Sequence, residues 1–387
     1  MKRPRIAKVR LNPLSANRFF KPAAKSMTTM PPLESRGNRP LKMSFEDQLR
    51  ALVFFHLEEH TSAQHLLQVL EQDEFAREFI APDGGIKKSS FAEANSHRGL
   101  EQFMHVYKDL QAQALHILPD RHKELGELVA IDGSLIDATL SMHWADYQKK
   151  SNKAKVHVGF DINRAIPRKV YLSDGKGAER PFVEQLLDPG QTGVLDRGYQ
   201  SHQRFDRWQE NDIRFLCRIK ASTRKAVIAA SSVPADSHVF FDAEVLLGTP
   251  GVNQTERPLR LVGYKAAGVK YWVATNRRDL TAEQIAEAYK LRWDIENFFG
   301  WWKRHLKVYH LISRTFHGMM VQILAGLITY LLLAIYCQEN FREKVSIKRV
   351  RELRITIQNE LRHTGHEDPA VSSNDPPTNH HPPYAKT

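Results

Sequence analysis

Apolar positions along the chain change their spacing several times, and each change marks an element. From Ser44 to about Leu118 they recur every three or four residues. Leu49, Leu52, Val53 and Leu57 share one face of a helix that Ser44 is placed to cap. Thr61-x-x-Gln64 reads as a capping box for a second helix ending near Gln72. After the turn at Pro82-Asp-Gly-Gly85, Ser90-x-x-Glu93 starts a third, and a longer helix runs from about Arg98 to Leu115. Short apolar or alternating runs then predict strands at Leu128 to Ile131, Lys155 to Phe160, Thr192 to Leu195 and across Ile213, Phe215, Cys217 and Ile219. A stretch rich in β-branched residues and turns follows, with strands predicted at His238 to Leu247, Pro258 to Tyr264 and Val269 to Thr275. Thr281-x-x-Gln284 opens a helix that continues past Lys303. Met319 to Cys337 is a run of nineteen residues without a charge, long enough to cross a bilayer. Gln322, Gly326 and Thr329 form a weakly polar stripe on it, which favours a helix packed on the core and meeting solvent or a neighbour along one edge.

These patterns divide the chain. Residues 1–43 read as a flexible basic arm and linker, since the first 33 residues contain no acid and Pro31-Pro32 precedes a polar segment ending at Pro40. An organellar transit peptide has a similar composition, whereas a secretory signal would need an apolar run after the charges. Residues 44–120 read as a helical N-terminal domain, suited equally to nucleic-acid binding and to a scaffold or dimerisation role. Residues 121–220 and 269–345 read as two parts of an α/β core interrupted by a β-rich insertion at 221–268. Residues 346–387 form a C-terminal segment with a disordered end, in which His380-His381 is a weak metal-binding signal. A net charge of +12 and a pI near 9.5 point to a polyanionic partner without specifying its sequence. Cys217 and Cys337 are the only cysteines and lack a C-x-x-C spacing, which excludes a disulfide framework and a zinc–cysteine site and suits a reducing cytoplasm.

The candidate chemistry begins with Tyr289, Arg292, Glu296 and Lys303, at offsets of zero, three, seven and fourteen. On one continuous helix these positions fall within a strip of about 60°. A carboxylate between two cations and a phenol suits a divalent metal beside a phosphate, because the acid ligates the metal and the cations balance the phosphoryl charge. The competing reading is a solvated face with ordinary ion pairs. Upstream, Asp132 ends the strand at Leu128 to Ile131 and is followed by glycine, and Asp196 ends the next short strand with Gly198 close behind. Two strand-end aspartates and a helix glutamate give an oxygen-only ligand set that fits magnesium or manganese and has room for two ions. Asp137 and Asp161 compete with Asp132 for the first position. Asp188 and Asp206, rivals of Asp196, read as turn and surface residues. Trp293, Phe298, Phe299, Trp301 and Trp302 around Glu296 read chiefly as packing, with one of them, or Trp144 or Trp272, open to stacking on a displaced base.

Together these residues resemble the DDE transposases of bacterial insertion sequences, specifically the group marked by Tyr-x2-Arg-x3-Glu-x6-Lys. The likeness rests on that spacing, on Ala130-Ile-Asp132-Gly and Leu195-Asp196-Arg-Gly-Tyr199, and on the text from Tyr289 to Phe299; it covers roughly residues 44 to 337. The chain departs from the pattern after Tyr147, where a glycine–lysine pair is expected and Lys153-Ala-Lys-Val-His157 stands instead. The resemblance implies a ribonuclease-H-like catalytic core in an α/β chain, with Asp132, Asp196 and Glu296 as the catalytic, metal-binding triad for Mg2+, Mn2+ substituting. It also implies Tyr289, Arg292, Lys303 and Arg197 as phosphate- and DNA-binding residues. The implied partners are double-stranded DNA, as terminal inverted repeats and as target, and a second copy of the chain in the end complex, in a bacterial cytoplasm and without a membrane. A metal-dependent, structure-specific nuclease and a catalytically silent DNA-binding regulator are the other functions this constellation allows.

Overall fold

The computed structural model describes residues 14–33, 41–138, 142, 144–148, 151–306, 310 and 312–364. Among these, the helices are α1 (Leu14–Met27), α2 (Phe45–Leu57), α3 (Ala63–Gln72), α4 (Lys88–His97), α5 (Leu100–Ile117), α6 (Val183–Leu186), α7 (His202–Glu210), α8 (Ala282–Lys290), α9 (Trp293–His305), α10 (Phe316–Phe341) and α11 (Ile347–Thr364). The strands are β1 (Leu128–Ala138), β2 (Asp146–Gln148), β3 (Ser151–Asp161), β4 (Ile166–Asp174), β5 (Thr192–Leu195), β6 (Arg214–Arg218), β7 (Lys225–Ala230), β8 (Val239–Leu247), β9 (Leu259–Ala266) and β10 (Val269–Thr275). They form one mixed sheet in the order β2-β3-β1-β5-β6-β10-β9-β8-β7, with β4 pairing with β3 beside it. Only β5 with β1 and β5 with β6 are parallel.

The alternation of each strand divides the apolar residues between two faces. Leu128 and Ala130 of β1, with Val194 of β5, join a core that also takes in α2, α4, α5, α9 and α10. Val129 and Ile131, with Leu195, face a second core built with Phe205 and Trp208 of α7. Both sheet faces are therefore covered, so β5 reads as an unbroken buried run. On the first face, α10 is buried along its length from Gly318 to Cys337, and α1, α2, α4, α5 and β4 pack against it. A helix that is apolar all round belongs at the centre of such a core. Its 18-residue apolar window is wholly buried inside the protein. The expected polar edge is buried as well. The Gln322 amide accepts from the Ile312 N–H at 2.9 Å and donates to the His310 carbonyl at 2.7 Å, while the Thr329 hydroxyl donates to the Ala325 carbonyl at 2.7 Å.

Several expectations change at this level. The basic arm was expected to be flexible throughout, but residues 14–27 form α1, anchored by Ala16, Phe19 and Ala23, each fully buried. Residues 1–13 and 34–40 lie outside the described residues. Helices α2, α4 and α5 close over α10 and share its core. Ser44 caps α2 as expected, but α3 is capped by Ser62 instead of Thr61, and α4 begins at Lys88, before Ser90. The β-rich segment 221–268 continues the main sheet, since β9 pairs with β10 and β10 with β6, and it includes a strand, β7, whose exposed residues show no alternation. Helix α11 occupies the first part of the C-terminal segment, and residues 365–387, with His380-His381, are outside the described residues.

Trp302 is fully buried and stacks on Phe298 with ring centroids 5.9 Å apart, seating α9 on the first core. Trp302→Ala is expected to cost roughly 3–5 kcal/mol by the cavity it leaves, measurable as a lower denaturation midpoint with an unchanged slope.

Candidate active site

The last paired rung of the parallel ladder is Ile131 with Leu195. The next residues on the two strands are Asp132 and Asp196, so the register sets the two carboxylates side by side on chains about 4.8 Å apart. Alternation gives both the same face, that of Leu128, Ala130 and Val194, which is the face α9 covers. Strand β1 does not stop at Asp132 as the sequence suggested. It continues through Gly133 to Ala138, because β3 pairs with it over that whole stretch, Asp132 opposite Val158. Asp132 is thus held in mid-strand, at the point where one neighbouring strand ends and the other goes on.

The helix expected to carry all four signature residues is two helices. At the junction, the N–H groups of Arg292, Asp294 and Ile295 each donate to the carbonyl three residues back, at 3.1, 3.0 and 3.2 Å. This tightens the turn between α8 and α9. Tyr289 remains on α8, Arg292 caps α9, and Glu296 and Lys303 lie on α9. Nor is this a solvated face: Tyr289 and Arg292 are 4% and 8% exposed. Arg292 donates to Glu296 at 2.5 Å, and the Tyr289 hydroxyl is buried without a hydrogen bond among the described residues. Trp293, 59% exposed, is the large apolar side chain that the junction turns outward.

Charge interactions connect these groups. Asp132 has its carboxyl pushed up to about 6, first by burial and then by Glu179 and Glu296, against the lowering pull of the Gly133 N–H and of Arg292. Asp196 interacts with Arg292 and Tyr289, and lies 4.0 Å from Arg218. Burial lowers the Lys303 ammonium, which Asp132 and Asp137 pull back up. The three predicted acids and the three α8–α9 partners therefore share one electrostatic neighbourhood. Arg197 is exposed beside it.

The rivals separate cleanly. Asp161 is 4% exposed and spent on the Arg164 N–H, with Arg164 and Arg168 at 3.6 and 3.5 Å. Asp137 is exposed and pairs with Lys153 at 2.9 Å. Asp188 pairs with Lys169 at 2.8 Å. Asp206 is no surface residue: at 8% exposure it accepts from the backbone N–H groups of Glu256 and Arg257. In the departure from the family pattern, Lys155 pairs with Glu179 at 3.2 Å, and His157 is buried against Phe182, its pKa lowered by burial to about 4.

Two neighbours were missed. Glu179 lies over Gly133, where an added Cβ would sit 2.9 Å from its Oε1, so the glycine after Asp132 makes room for a fourth acid. Tyr199 is buried beside Glu179, Asp132 and Asp196, and burial with these carboxylates raises its hydroxyl well above the usual range. The Asp196-Arg-Gly-Tyr199 block was a signal for Tyr199; a lone loop glutamate such as Glu179 gives none.

Among the described residues, the buried Asp196 Oδ1 receives no hydrogen bond, and Asp132 accepts one from the N–H of its neighbour Gly133. Under-satisfied carboxylate oxygens of this kind fit a hard cation with oxygen ligands. They are less tightly gathered than His122, Glu124 and Glu287, whose ligand atoms lie within 4.8 Å of one another at the surface; this is the one such group among the described residues. That cluster was not anticipated, and two of its three members are exposed.

Because folding raises the Asp132 pKa, the protonated form is favoured in the folded state, and ionisation costs stability as pH rises from the unfolded value toward and past 6. Asp132→Asn, measured in chelator, should stabilise the protein by about 3 kcal/mol at pH 7.5, with most of the gain gone by about pH 4. Denaturant titrations at the two pH values test this, and a pH-independent difference would contradict it.

Residues 123–332 match the family described as Transposase DDE domain. The chain is 31% identical over 216 residues to a probable transposase for insertion sequence element IS5377 of Geobacillus stearothermophilus, covering 54% of this chain and 57% of that relative. It is 28% identical over 294 residues to a putative transposase, y4zB, of Sinorhizobium fredii, covering 74% and 80%. A putative transposase for insertion sequence element IS4SA of Synechocystis is 26% identical over 257 residues, covering 63% and 70%. The family match spans more than half of the chain and contains all three acids that the register and α9 bring together, and the protein belongs to the DDE transposase family.

Proposed function

We propose that the protein is a DNA transposase of the Tyr-x2-Arg-x3-Glu-x6-Lys group that cuts the ends of an insertion sequence and joins the freed 3′ hydroxyls to target DNA. The observation that carries this reading is the β1–β5 register, which sets Asp132 beside Asp196 on the face covered by the helix of Glu296. The strand order β4-β3-β1-β5-β6, antiparallel on one side of β1 and parallel on the other, supports a ribonuclease-H-like core.

Divalent metal use goes with the family; Asp132, Asp196 and Glu296 would hold Mg2+, or Mn2+ in its place, as a pair of ions. Such ions activate the attacking oxygen and stabilise the leaving one. The chain's own residues do the rest. Arg292 holds Glu296 until the phosphodiester claims part of its charge, and Lys303, desolvated next to Asp132, is poised for a phosphate oxygen. Tyr289 offers a buried hydroxyl that has no partner among the described residues. The DNA is duplex, carrying inverted repeats at the element ends, and two copies of the chain hold the ends together in the cytoplasm.

Glu296→Gln is expected to abolish cutting while leaving end binding within a few-fold of the parent, as read by cleavage gels and band shifts with the same DNA; cutting retained in this variant would reject the assignment. Pre-cut ends supplied with a plasmid target should give joined product, which a plain nuclease would not. Lys303→Ala should weaken end complexes and flatten their salt dependence by about one unit of slope. A slope equal to that of the parent would place Lys303 away from the phosphates.

A further inference from the structure

Beyond the acids, three loops enclose an open trough of about 1060 Å3: the segment after β5, the β6–β7 connection and the β8–β9 loop. It begins at Arg197, the residue after Asp196, and its wall carries Arg180, Lys220 and Arg224, all exposed. Arg180 donates to the Gly198 carbonyl at 3.1 Å. Among the described residues, no carboxylate pairs with Arg197, Lys220 or Arg224. The trough also holds Asp206 and Glu256, but Asp206 is occupied by backbone N–H groups of the β8–β9 loop.

The walls are fixed. Gln200 accepts from the Lys220 N–H and donates to the Thr223 hydroxyl, each at 2.9 Å, tying the β6–β7 connection to the segment after Asp196. His202, at the start of α7, donates to the Asn253 carbonyl at 2.6 Å. Gly248 turns the loop at φ +103°, and a Cβ there would lie 2.4 Å from the Asn253 carbonyl and 2.7 Å from His202 Nδ1. Lys303 neighbours Asp132 while the trough opens beside Asp196, so a polyanion crossing the carboxylates meets cations on either side of them.

We propose that this trough is a second DNA-backbone site, in which Lys220 and Arg224 bind phosphates of the duplex next to the cut and the insertion thereby takes part in holding DNA. The inference rests on the transposase reading above. Unpaired, exposed cations spaced along a pre-formed groove neutralise successive phosphates without reading bases, so their contribution is independent of sequence and steep in salt.

The test uses the full chain and a fluorescent DNA duplex of arbitrary sequence, with binding measured across a salt series. Lys220→Ala/Arg224→Ala should lower the slope of log affinity against log salt by roughly two units, near 0.9 for each phosphate left without its cation. Lys87→Ala/Lys88→Ala removes the same charge from an exposed site at the start of α4 and should leave the slope in place. Thermal unfolding of both variants should match the parent. A parental slope in the trough variant, or an equal fall in both, would overturn the site. If the trough variant fails this test while Glu296-dependent cutting persists in the parent, only the trough is wrong; if the parent neither binds nor cuts duplex DNA, the transposase reading fails first.

Discussion

The parallel pairing of β5 with β1 is the constraint from which the site follows. Four residues of β5, all buried, pair with Leu128 to Ile131, and both strands are covered on each face by apolar side chains. A slip of one residue would turn Val194 and Leu195 to the wrong cores and carry Asp196 to the face opposite Asp132. The cost of misplacing the hydrophobic side chains therefore enforces the placement of the charged ones. The acids need no interaction with each other to be brought together, which is fortunate, because they repel.

The repulsion is felt at Asp132, where burial, Glu179 and Glu296 outweigh the Gly133 N–H and Arg292 and raise the carboxyl. Arg292 pairs with Glu296, Lys155 with Glu179, and Arg218 lies 4.0 Å from Asp196, whose buried Oδ1 has no hydrogen bond among the described residues. Rigid backbone on both sides of β1 holds the frustrated groups in place, as sites built on strands are able to do. The same logic puts Arg292 of the α8–α9 junction inside the protein, where its charge counts for more than on a solvated helix.

How much was legible in the sequence depended on whether a local pattern or a distant partner decided the outcome. Ser44 and Thr281 announced their helices because a cap is a local hydrogen bond. Spacing and resemblance singled out Asp132, Asp196 and Glu296, whereas their rivals Asp161 and Asp206 are engaged by Arg164 and Arg168 and by backbone N–H groups. The extension of β1 beyond Asp132 was hidden, because β3, distant in sequence, pairs with residues that carry no strong strand signal of their own. The break after Tyr289 was hidden too: nothing between Lys290 and Trp293 is a helix breaker, and the tight turn appears only in the hydrogen bonds. Strand β7 escaped notice since Val227 and Ile228 are both exposed, which removes the alternation that marks a half-buried strand. Glu179 reached the site from a loop through a gap left by a glycine, a relation no linear pattern records.

Helix α10 carries one more implication. It is the hub against which α1, α2, α4 and α5 close, yet it comes roughly two hundred residues after the last of them in the chain. During synthesis those four segments leave the ribosome with only one another to settle on, and wait through the making of the whole sheet before α10 emerges. Any copy interrupted upstream of Phe316 would lack that hub altogether. Such a fragment would be cleared or would clump as a polypeptide, instead of lingering as a folded, DNA-binding competitor of the intact protein.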